Sequence, residues 1–491
     1  MVDQARSVKK LLFAGFWLLT AGLLFFNAWT GSQFPSDDCV YAVTAREALQ
    51  DNGWLEPTWQ RSPFLEKGPL LPWALAGSLS LLGETDLALR LPGILAALLF
   101  LACLYRLGRR LGLHPPAALV AVALAMALHV FFLTARRPMT DVPGMALGLA
   151  GFLLAAFPGS RGRGHGRAVA GGVLLGLSLL TKLTAPAPFL FGLLVLQASR
   201  PFRNTRGLLV TLGATAVTAI PWHAFMVAQH GQTFIDTYFL FHLLERASRA
   251  VVGDAAAQTY VAWALEREGL AAVLVAVSIP LTGVLALRRN RAALCICALG
   301  FGALAPLAIS ATALPHYLVT LVPAAALSVG LLAHGAGQDP AACWLPSSLA
   351  FLAALAFGLN NCREVLDPDH GPGARSACEA LTFEGTAARL TATFDLHDPC
   401  VAWYCGTRVH FLGADPGFLQ ATRDIPMLQG FVKAVEPGTI RELTRNGTLV
   451  LTRSDRLDSL GDLAQKEGVE ITTREFGHRV VVEFTSGERS R

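Results

Sequence analysis

The chain has 491 residues, of which 53% are hydrophobic and 15% are charged, whereas about a quarter of the residues in soluble domains are charged. The formal net charge is +5, but the basic residues lie in short segments between long apolar blocks. This distribution does not indicate a nucleic-acid partner. The composition instead predicts a polytopic membrane protein whose partners include membrane lipids.

The apolar blocks are long enough to cross a hydrocarbon core of ~30 Å at ~1.5 Å per residue. They predict about eleven membrane spans in a mostly α-helical bundle. The spans cover roughly residues 11–28, 90–107, 116–134, 141–157, 168–184, 187–199, 207–228, 270–287, 292–312, 315–334 and 344–360. The apolar stretch 69–83 is expected to lie along the membrane surface. No clean Ala-x-Ala site follows the first block, which favours an uncleaved anchor over a signal peptide.

Basic residues occur in every second loop, which indicates the orientation of the bundle. They cluster before the first block and after the second, fourth, sixth and eighth blocks. Because cytoplasmic loops carry the excess of Lys and Arg, we expect a cytoplasmic amino terminus. Loops 29–89, 135–140, 229–269 and 313–314 would then face outside, together with the tail after residue 361.

The composition changes near residue 361, which predicts two domains. Residues 1–361 form the membrane domain, and residues 362–491 have normal charge content and no spanning block. The stretches "GTLVLTRSD" and "VEITTREFGHRVVVEFT" read as strands, and "RLDSLGDLAQKEG" reads as a helix. We therefore expect a small extracytoplasmic α/β domain at the carboxyl terminus.

Four of the nine cysteines lie in this tail: Cys362, Cys378, Cys400 and Cys405. An extracytoplasmic tail permits disulfides. Cys400 and Cys405 are close enough in sequence to close a small loop, but spacing alone does not decide the pairing.

Two adjacent carboxylates open a short amphipathic helix in the first outside loop, "SDDCVYAVTAREALQ". One face of this helix is apolar, and Arg46 and Glu47 lie on the opposite, polar face. Asp37 and Asp38 have two explanations. Acids in a first turn are stabilised by the helix dipole by ~0.3–1 kcal/mol. Alternatively, one is a general base held at the membrane edge with a second acid beside it.

Charged residues also mark two other outside segments. Glu66 and Lys67 form either an interfacial charge pair or a metal ligand beside a cation for an anionic headgroup. In "TARRPMTDVPG" two arginines oppose the positive-inside bias. Either a bound phosphate or an ion pair between Arg137 and Asp141 would explain them.

Further polar residues are expected at the same outside level: Lys182, His242, Arg246, His316 and Tyr317. Transporters concentrate such groups near the midplane of the membrane. Clustering at one interface favours chemistry on a lipid headgroup. A transporter or a flippase for lipid-linked sugars is the alternative function, and a structural or assembly subunit is a third.

The order of these motifs resembles a known superfamily. The series DD, YAVTAREAL, LEKGPL, LALRLPG, ARRPMTD, LTK, PWH, HLLER and LPHYL spans about residues 10 to 335. It resembles the GT-C membrane glycosyltransferases that use polyprenyl-phosphate sugars, among them the bacterial aminoarabinose transferases of lipid A and the protein O-mannosyltransferases. The resemblance implies a multi-pass protein of the bacterial cytoplasmic (inner) membrane, with its active site on the outer side.

The resemblance also implies the reaction. A sugar passes from a polyprenyl-phosphate donor to a hydroxyl of a lipid, glycan or protein acceptor, with inversion, as in lipid A-like modification of the cell envelope. No nucleotide cofactor is expected, which agrees with the lack of a Gly-rich phosphate loop. A divalent metal ion is a possible cofactor.

Site residues follow from the resemblance position by position. Asp37 is assigned as the base, Asp38 as its support and Asp141 as a second acid. The substrate-binding residues are Lys67, Arg137, Lys182, Arg246, His316 and Tyr317, and the metal ligands are Glu66 and His242. The sequence departs from the superfamily pattern at Asp38, where Glu is usual, at Gly68, where Pro is usual, and at Leu183-Thr184, where Gly-Pro is usual.

Overall fold

The computed structural model describes residues 2–29, 36–51, 53–157, 164–198, 203–245, 257–311, 313–336, 356, 373–423 and 425–486. These residues are mainly helical and end in a β-sheet region. The chain packs as two compact units. The first, here the helical unit, comprises Met1–Trp29, Lys67–Ala74 and Leu81–Glu364, and the second, the mixed unit, comprises Thr30–Glu66, Leu75–Ser80 and Val365–Arg491.

Fourteen of the described helices precede residue 337. They are α1 Val2–Phe25, α2 Ser36–Gln50, α3 Leu70–Leu82, α4 Asp86–Arg110, α5 Pro115–Ala127, α6 His129–Ala135, α7 Asp141–Ala156, α8 Gly164–Thr181, α9 Ala187–Leu196, α10 Thr205–Phe234, α11 Ala257–Arg267, α12 Leu270–Leu287, α13 Arg291–Ile309 and α14 Val322–Ala336. A π-helix, Ile235–Glu245, continues α10, and a 3-10 helix, Pro315–Leu321, precedes α14. Most of these helices follow the apolar blocks of the sequence, because a helix in hydrocarbon satisfies its own backbone groups.

Among the described residues, five helices are long and apolar enough to cross a membrane, or six if α5 and α6 count as one bent span. Several shorter apolar helices accompany them. The protein is thus a multi-pass membrane protein. The last expected span, 344–360, lies almost entirely outside the described residues, and the count of about eleven stays a prediction.

The block 116–134, expected as one span, is two helices that meet at an angle of 73°. The bend exposes the amino terminus of α6, whose backbone N–H groups need acceptors. The buried carboxylate of Glu268 accepts from the N–H groups of His129 (2.6 Å) and Val130 (2.9 Å). This acid, placed just before α12, stabilises a break that hydropathy alone does not predict.

The mixed unit contains a six-stranded sheet in its carboxyl-terminal part. The strands are β3 Leu390–Phe394, β4 His410–Gly413, β5 Val432–Ala434, β6 Leu449–Arg453, β7 Val469–Phe476 and β8 Arg479–Ser486. Their order is β5-β4-β3-β6-β8-β7. Neighbours from β5 to β6 are parallel, while β8 runs antiparallel to both β6 and β7. The strand patterns noted in the sequence correspond to β6, β7 and β8.

Helices accompany the sheet: α15 Ala374–Phe383, α16 Cys400–Tyr404, α17 Pro416–Arg423, α18 Thr439–Arg445 and α19 Leu457–Lys466. α19 is the helix expected from "RLDSLGDLAQKEG". Its Leu460 packs with Phe394, Val450 and Val482 of the strands in one buried apolar core. Burial of apolar side chains at ~25 cal/mol per Å² is the main stabilisation of such a core.

The mixed unit also includes part of the loop after the first apolar block, where helix α2 is followed by the hairpin β1 Thr58–Trp59 and β2 Ser62–Pro63. α2 is buried on more than the apolar face expected from its spacing. Glu47, expected on the polar face, is 8% exposed. Its carboxylate accepts from the Thr58 hydroxyl (2.7 Å) and the Arg61 backbone N–H (3.1 Å). The hairpin therefore covers the side of α2 that was expected to face water.

Two disulfides lie in this unit, Cys39–Cys400 and Cys378–Cys405. The small loop between Cys400 and Cys405 that their spacing suggested does not form, because each pairs with another cysteine. Cys362 lies outside the described residues. Cys39–Cys400 joins residues 361 positions apart and thereby ties α2 to α16.

Candidate active site

The two acids at the start of α2 lie in different surroundings. The side chain of Asp37 is exposed, whereas Asp38 is completely buried. Successive helical residues point about 100° apart, so one acid faces the interior while its neighbour faces outward. Asp37 is thus the accessible acid of the pair, and Asp38 is enclosed by the fold. These locations fit the roles expected for the two residues, which remain predictions.

A disulfide and the side chain of Arg46 connect α2 to α16 within the mixed unit. The disulfide is Cys39–Cys400, two residues beyond Asp37. The guanidinium of Arg46 donates to the carbonyls of Ala402 (2.6 Å) and Trp403 (2.9 Å) at the end of α16. The same guanidinium lies 4.9 Å from the centre of the Trp403 ring. A cation at a helix carboxyl terminus is favourable, and the contacts limit movement of the helix that carries Asp37.

The rest of the first loop is held on the sheet. Trp59 stacks on Phe411 with ring centres 6.4 Å apart. Gln60 exchanges hydrogen bonds with the backbone of Val409. Glu66 is buried, and its carboxylate accepts from the backbone N–H of Met427 at 3.1 Å. The loop and the sheet therefore form one packed body around Asp37 and Glu66.

His397 from the segment after β3 is a further polar residue of this region. Its ring centre is 5.0 Å from that of Phe411. Burial lowers the pKa of His397 to about 4, and the nearby charges of Asp37 and Glu66 act in the opposite direction. Sequence reasoning missed this histidine, because no spacing relates it to residues more than 300 positions earlier. The available signal in the sequence was Cys39, a cysteine near Asp37 whose disulfide partner, Cys400, lies three residues after His397.

In the helical unit, Asp141 and Lys182 form a buried ion pair of 2.7 Å. Asp141 is the first residue of α7, and Lys182 directly follows α8. Close packing brings these ends together. The Ser178 hydroxyl donates to the Gly144 carbonyl (2.7 Å), and a Cβ atom at Gly144 would lie 2.7 Å from the Cβ of Ala185. The structure thus pairs Asp141 with Lys182.

Other expected residues surround this pair. The Lys182 ammonium lies 4.7 Å from the centre of the Tyr317 ring, and the His316 and Tyr317 rings contact each other at 4.8 Å. Lys67 and His316 are close enough to Asp141 to act on it electrostatically. Four predicted substrate-binding residues, Lys67, Lys182, His316 and Tyr317, therefore meet around one acid.

Gly68 explains how the segment after Lys67 reaches this cluster. A Cβ atom at Gly68 would lie 2.0 Å from the carbonyl oxygen of Leu180, in the last turn of α8. Only glycine permits this approach. Glycine at position 68, where the superfamily usually has proline, therefore allows the segment to pack closely against the end of α8 near Lys182.

The two arginines of "ARRPMTD" differ in location. Arg136 is 2% exposed and donates to the carbonyls of Leu23 (3.1 Å) and Phe26 at the end of α1. These contacts give Arg136 a structural role at the end of α1. Arg137 is half-buried on the same turn, and its contact with substrate stays a prediction.

Two predicted residues cannot be placed. Arg246 and the side chain of His242 lie outside the described part of the chain. Within the described part, no group of three His, Cys, Asp or Glu residues could hold a metal ion, and Glu66 already binds a backbone N–H. The metal site expected from Glu66 and His242 stays a prediction, because the side chain of His242 lies outside the described residues.

A comparison of the sequence with known protein families gives a match over part of the chain. A family model described as dolichyl-phosphate-mannose-protein mannosyltransferase matches residues 66–224, the segment that carries Lys67, Asp141 and Lys182. No curated protein sequence matches the chain.

Solved structures share the fold. ArnT from Cupriavidus metallidurans bound to undecaprenyl phosphate matches with a TM-score of 0.73 at 18% identity, over 96% of this chain and 98% of that one. The apo form of ArnT matches with a TM-score of 0.75 at 16% identity, over 98% of both chains. The archaeal oligosaccharyltransferase AglB from Archaeoglobus fulgidus, in complex with an inhibitory peptide and a dolichol-phosphate, matches with a TM-score of 0.57 at 12% identity, over 98% of this chain and 75% of that one. The family match is thus confined to residues 66–224, while the likeness to the solved structures extends over nearly the whole chain and shows the fold that they share with it.

Proposed function

We propose that the protein transfers a sugar from a polyprenyl-phosphate donor to a hydroxyl group of a lipid, glycan or protein acceptor, with inversion at the anomeric carbon. The observation that carries this proposal is the cluster around Asp141. Lys67 and Lys182 bring two positive charges to one carboxylate, and Tyr317 lies beside Lys182. Such a site suits the phosphate of a lipid donor.

In the proposed reaction the lysines stabilise the leaving phosphate. Negative charge develops on that group as the bond to the sugar breaks, and fixed cations in a site of low dielectric constant lower the barrier. Asp141 and Tyr317 hold the Lys182 side chain in place. Its ammonium group therefore needs little reorganisation when charge develops on the phosphate. Lys67 supplies the second charge, and Arg137, Arg246, His316 and Tyr317 complete the proposed contacts.

Asp37 is the proposed base, because it is the exposed acid of the pair on α2. It takes the proton of the acceptor hydroxyl as the oxygen attacks the anomeric carbon opposite the phosphate. Asp38 is buried and supports the helix. We assign Asp37 and the lysine cluster to one reaction because the resemblance to the GT-C superfamily implies a role for both.

The proposed location is the extracytoplasmic side of a bacterial cytoplasmic membrane. The alternation of basic loops supports this orientation. The disulfides Cys39–Cys400 and Cys378–Cys405 support it independently, because disulfides persist in oxidising compartments. Glu66 and His242 are the proposed ligands of a divalent metal ion, and the proposed reaction does not depend on that ion.

A transfer assay tests the proposal. Purified protein in lipid nanodiscs is mixed with radiolabelled polyprenyl-phosphate sugars and candidate acceptors. Native protein is expected to transfer the label, and Asp37→Asn is expected to lose about a hundredfold or more of kcat, in line with general-base catalysis. Asp51→Asn, which changes an exposed acid just after the same helix, serves as the matched control and should keep native activity.

Other outcomes would contradict specific parts of the proposal. Movement of the lipid-linked sugar across the bilayer without transfer would favour a flippase. Equal transfer by the native protein and Asp37→Asn would remove the base assignment and leave the enzyme class standing. If a folded Lys67→Ala variant bound the donor with unchanged affinity, the assignment of Lys67 to the donor phosphate would be wrong.

A further inference from the structure

The segment between β3 and α16 is fixed at both ends. The Asp395 carboxylate accepts from the backbone N–H groups of Ala414 (2.8 Å) and Asp415 (3.0 Å). The Asp398 carboxylate accepts from the N–H of Cys400 at 3.2 Å and lies 3.5 Å from Arg479. His397 stands between these two acids. Its backbone is therefore held on both sides, which is the preorganisation that a substrate-contacting residue needs.

This segment lies at the reversal point of the parallel strands. From β3 the chain moves through β4 to β5 on one side of the sheet, and β6 then lies on the other side of β3. In open α/β sheets, ligands bind outside the carboxyl ends of the strands at this point. His397 is in the loop that leaves the carboxyl end of β3.

The same segment is tied to the helix of the proposed base. Cys400, three residues after His397, is bonded to Cys39, two residues after Asp37, with their Cα atoms 5.0 Å apart. His397 is close enough to Asp37 and Glu66 to feel their charges. The carboxyl-terminal sheet thus delivers a histidine to the acids of the first loop.

One nitrogen of His397 lacks a partner within the described part of the chain. Nε2 is buried and makes no hydrogen bond to another described residue. The ring is packed beside Phe411, which in turn stacks on Trp59. Buried polar atoms in folded proteins are nearly always paired, so an unpaired atom in this position is suited to a ligand.

We infer that His397 contacts the substrate of the proposed transfer, with its imidazole hydrogen-bonded to a hydroxyl group of the donor sugar or of the acceptor. The inference rests on the proposed function. A neutral imidazole both donates and accepts one hydrogen bond, as a hydroxyl also does. Burial keeps the ring neutral at pH 7, so His397 serves hydroxyl recognition and leaves the phosphate to the lysines.

Steady-state kinetics of full-length variants in nanodiscs test the inference. His397→Phe keeps a packed ring without a polar nitrogen, and His397→Gln restores a polar group. We expect His397→Phe to lower kcat/KM about tenfold to a hundredfold, as loss of one hydrogen bond to substrate does, and His397→Gln to recover part of it. His478→Asn, which changes an exposed histidine in the β7–β8 turn, is the control and should match native protein.

The substrate whose KM rises identifies the source of the hydroxyl. A rise for the polyprenyl-phosphate sugar assigns the contact to the donor, and a rise for the acceptor assigns it to the acceptor. Native kcat/KM in His397→Phe overturns the inference and leaves the proposed function intact. If His397→Phe does not fold, native kcat/KM in a folded His397→Ala variant overturns it equally. Absence of transfer by native protein overturns the proposed function and the inference with it.

Discussion

At the scale of single residues, the ion pair between Asp141 and Lys182 is open to a direct test of its contribution to stability. Both side chains are mostly buried, with 2% and 16% exposed. Removing one partner of a buried pair leaves an uncompensated charge and typically costs about 3–5 kcal/mol. Replacing both partners with neutral groups avoids that cost. The pair can therefore be dissected by stability and activity together.

We predict that Lys182→Met lowers the melting temperature markedly, because Asp141 is left unpaired. The double variant Asp141→Asn, Lys182→Met should recover most of the stability yet remain inactive, because the proposed phosphate contact is gone. Thermal unfolding in detergent and the transfer assay measure the two effects. Full activity in the stable double variant would contradict the role of Lys182 in binding the donor phosphate.

The sequence predicted the members of this cluster better than its pairings. Asp141, Lys182, His316 and Tyr317 all come at the ends of apolar blocks, where hydropathy places polar residues at one membrane interface. Arg137 and Lys182 were both available to pair with Asp141, and only close packing at Gly144 and Ser178 decides the partner. Such packing depends on side-chain shapes across different helices, which hydropathy does not record.

At the scale of elements, the segment after Lys67 depends on its approach to α8. A methyl group at Gly68 would collide with the Leu180 carbonyl at 2.0 Å, so the segment must move away from Lys182. We predict that Gly68→Ala raises KM for the lipid donor about tenfold, since small displacements of a positioned group reduce rates strongly. Steady-state kinetics measure this effect.

Gly77→Ala is the control for that substitution. Gly77 also lies in an apolar segment, on α3, but a Cβ atom there meets nothing within 4 Å. This variant should keep native KM and a native melting temperature or a slightly higher one, because alanine favours helix. A native KM in Gly68→Ala would show that the position of Lys67 does not depend on this contact.

Hydropathy predicted most helices but not their breaks. The bend of 73° between α5 and α6 occurs at Leu128, in a run without Gly or Pro, and its stabilising acceptor, Glu268, is far along the chain. The burial of α2 was missed for a similar reason. Its cover comes from the β1–β2 hairpin and the carboxyl-terminal residues Ala402 and Trp403, which local periodicity cannot reveal.

At the scale of the whole molecule, the mixed unit groups the first loop with residues 365–491. We expect the stability of this unit to depend on pH, because the pKa of His397 is lowered in the folded protein. The pKa of His397 is about 4 in the folded protein and ~6.5 in an unfolded chain. Between these values the unfolded state binds more protons than the folded state, so the free energy of unfolding falls as the pH drops from about 6.5 towards 4.

We predict that the melting temperature of native protein decreases more steeply than that of His397→Phe between pH 7 and pH 4.5. Thermal scans across this range measure the difference. Asp398, whose pKa is raised by burial and opposed by Arg479, is present in both proteins and cancels in the comparison. Parallel pH profiles would contradict a buried neutral His397.

The long-range organisation was the least predictable level from sequence. The change of composition near residue 361 predicted a separate carboxyl-terminal domain, which stays a prediction, although a β-sheet region lies in that part of the chain. The pairing of Cys39 with Cys400 was not predictable, since spacing carries no information on partners 361 residues apart. That disulfide brings the sheet to Asp37 and makes the carboxyl-terminal residues part of the proposed chemistry.

The central claim is that Lys67 and Lys182 bind the phosphate of a polyprenyl donor. A cryo-electron-microscopy map of the protein in nanodiscs with added polyprenyl phosphate tests it most directly. The account predicts phosphate density within hydrogen-bond distance of both ammonium groups. Clear phosphate density held by other residues, with neither lysine in contact, would contradict it.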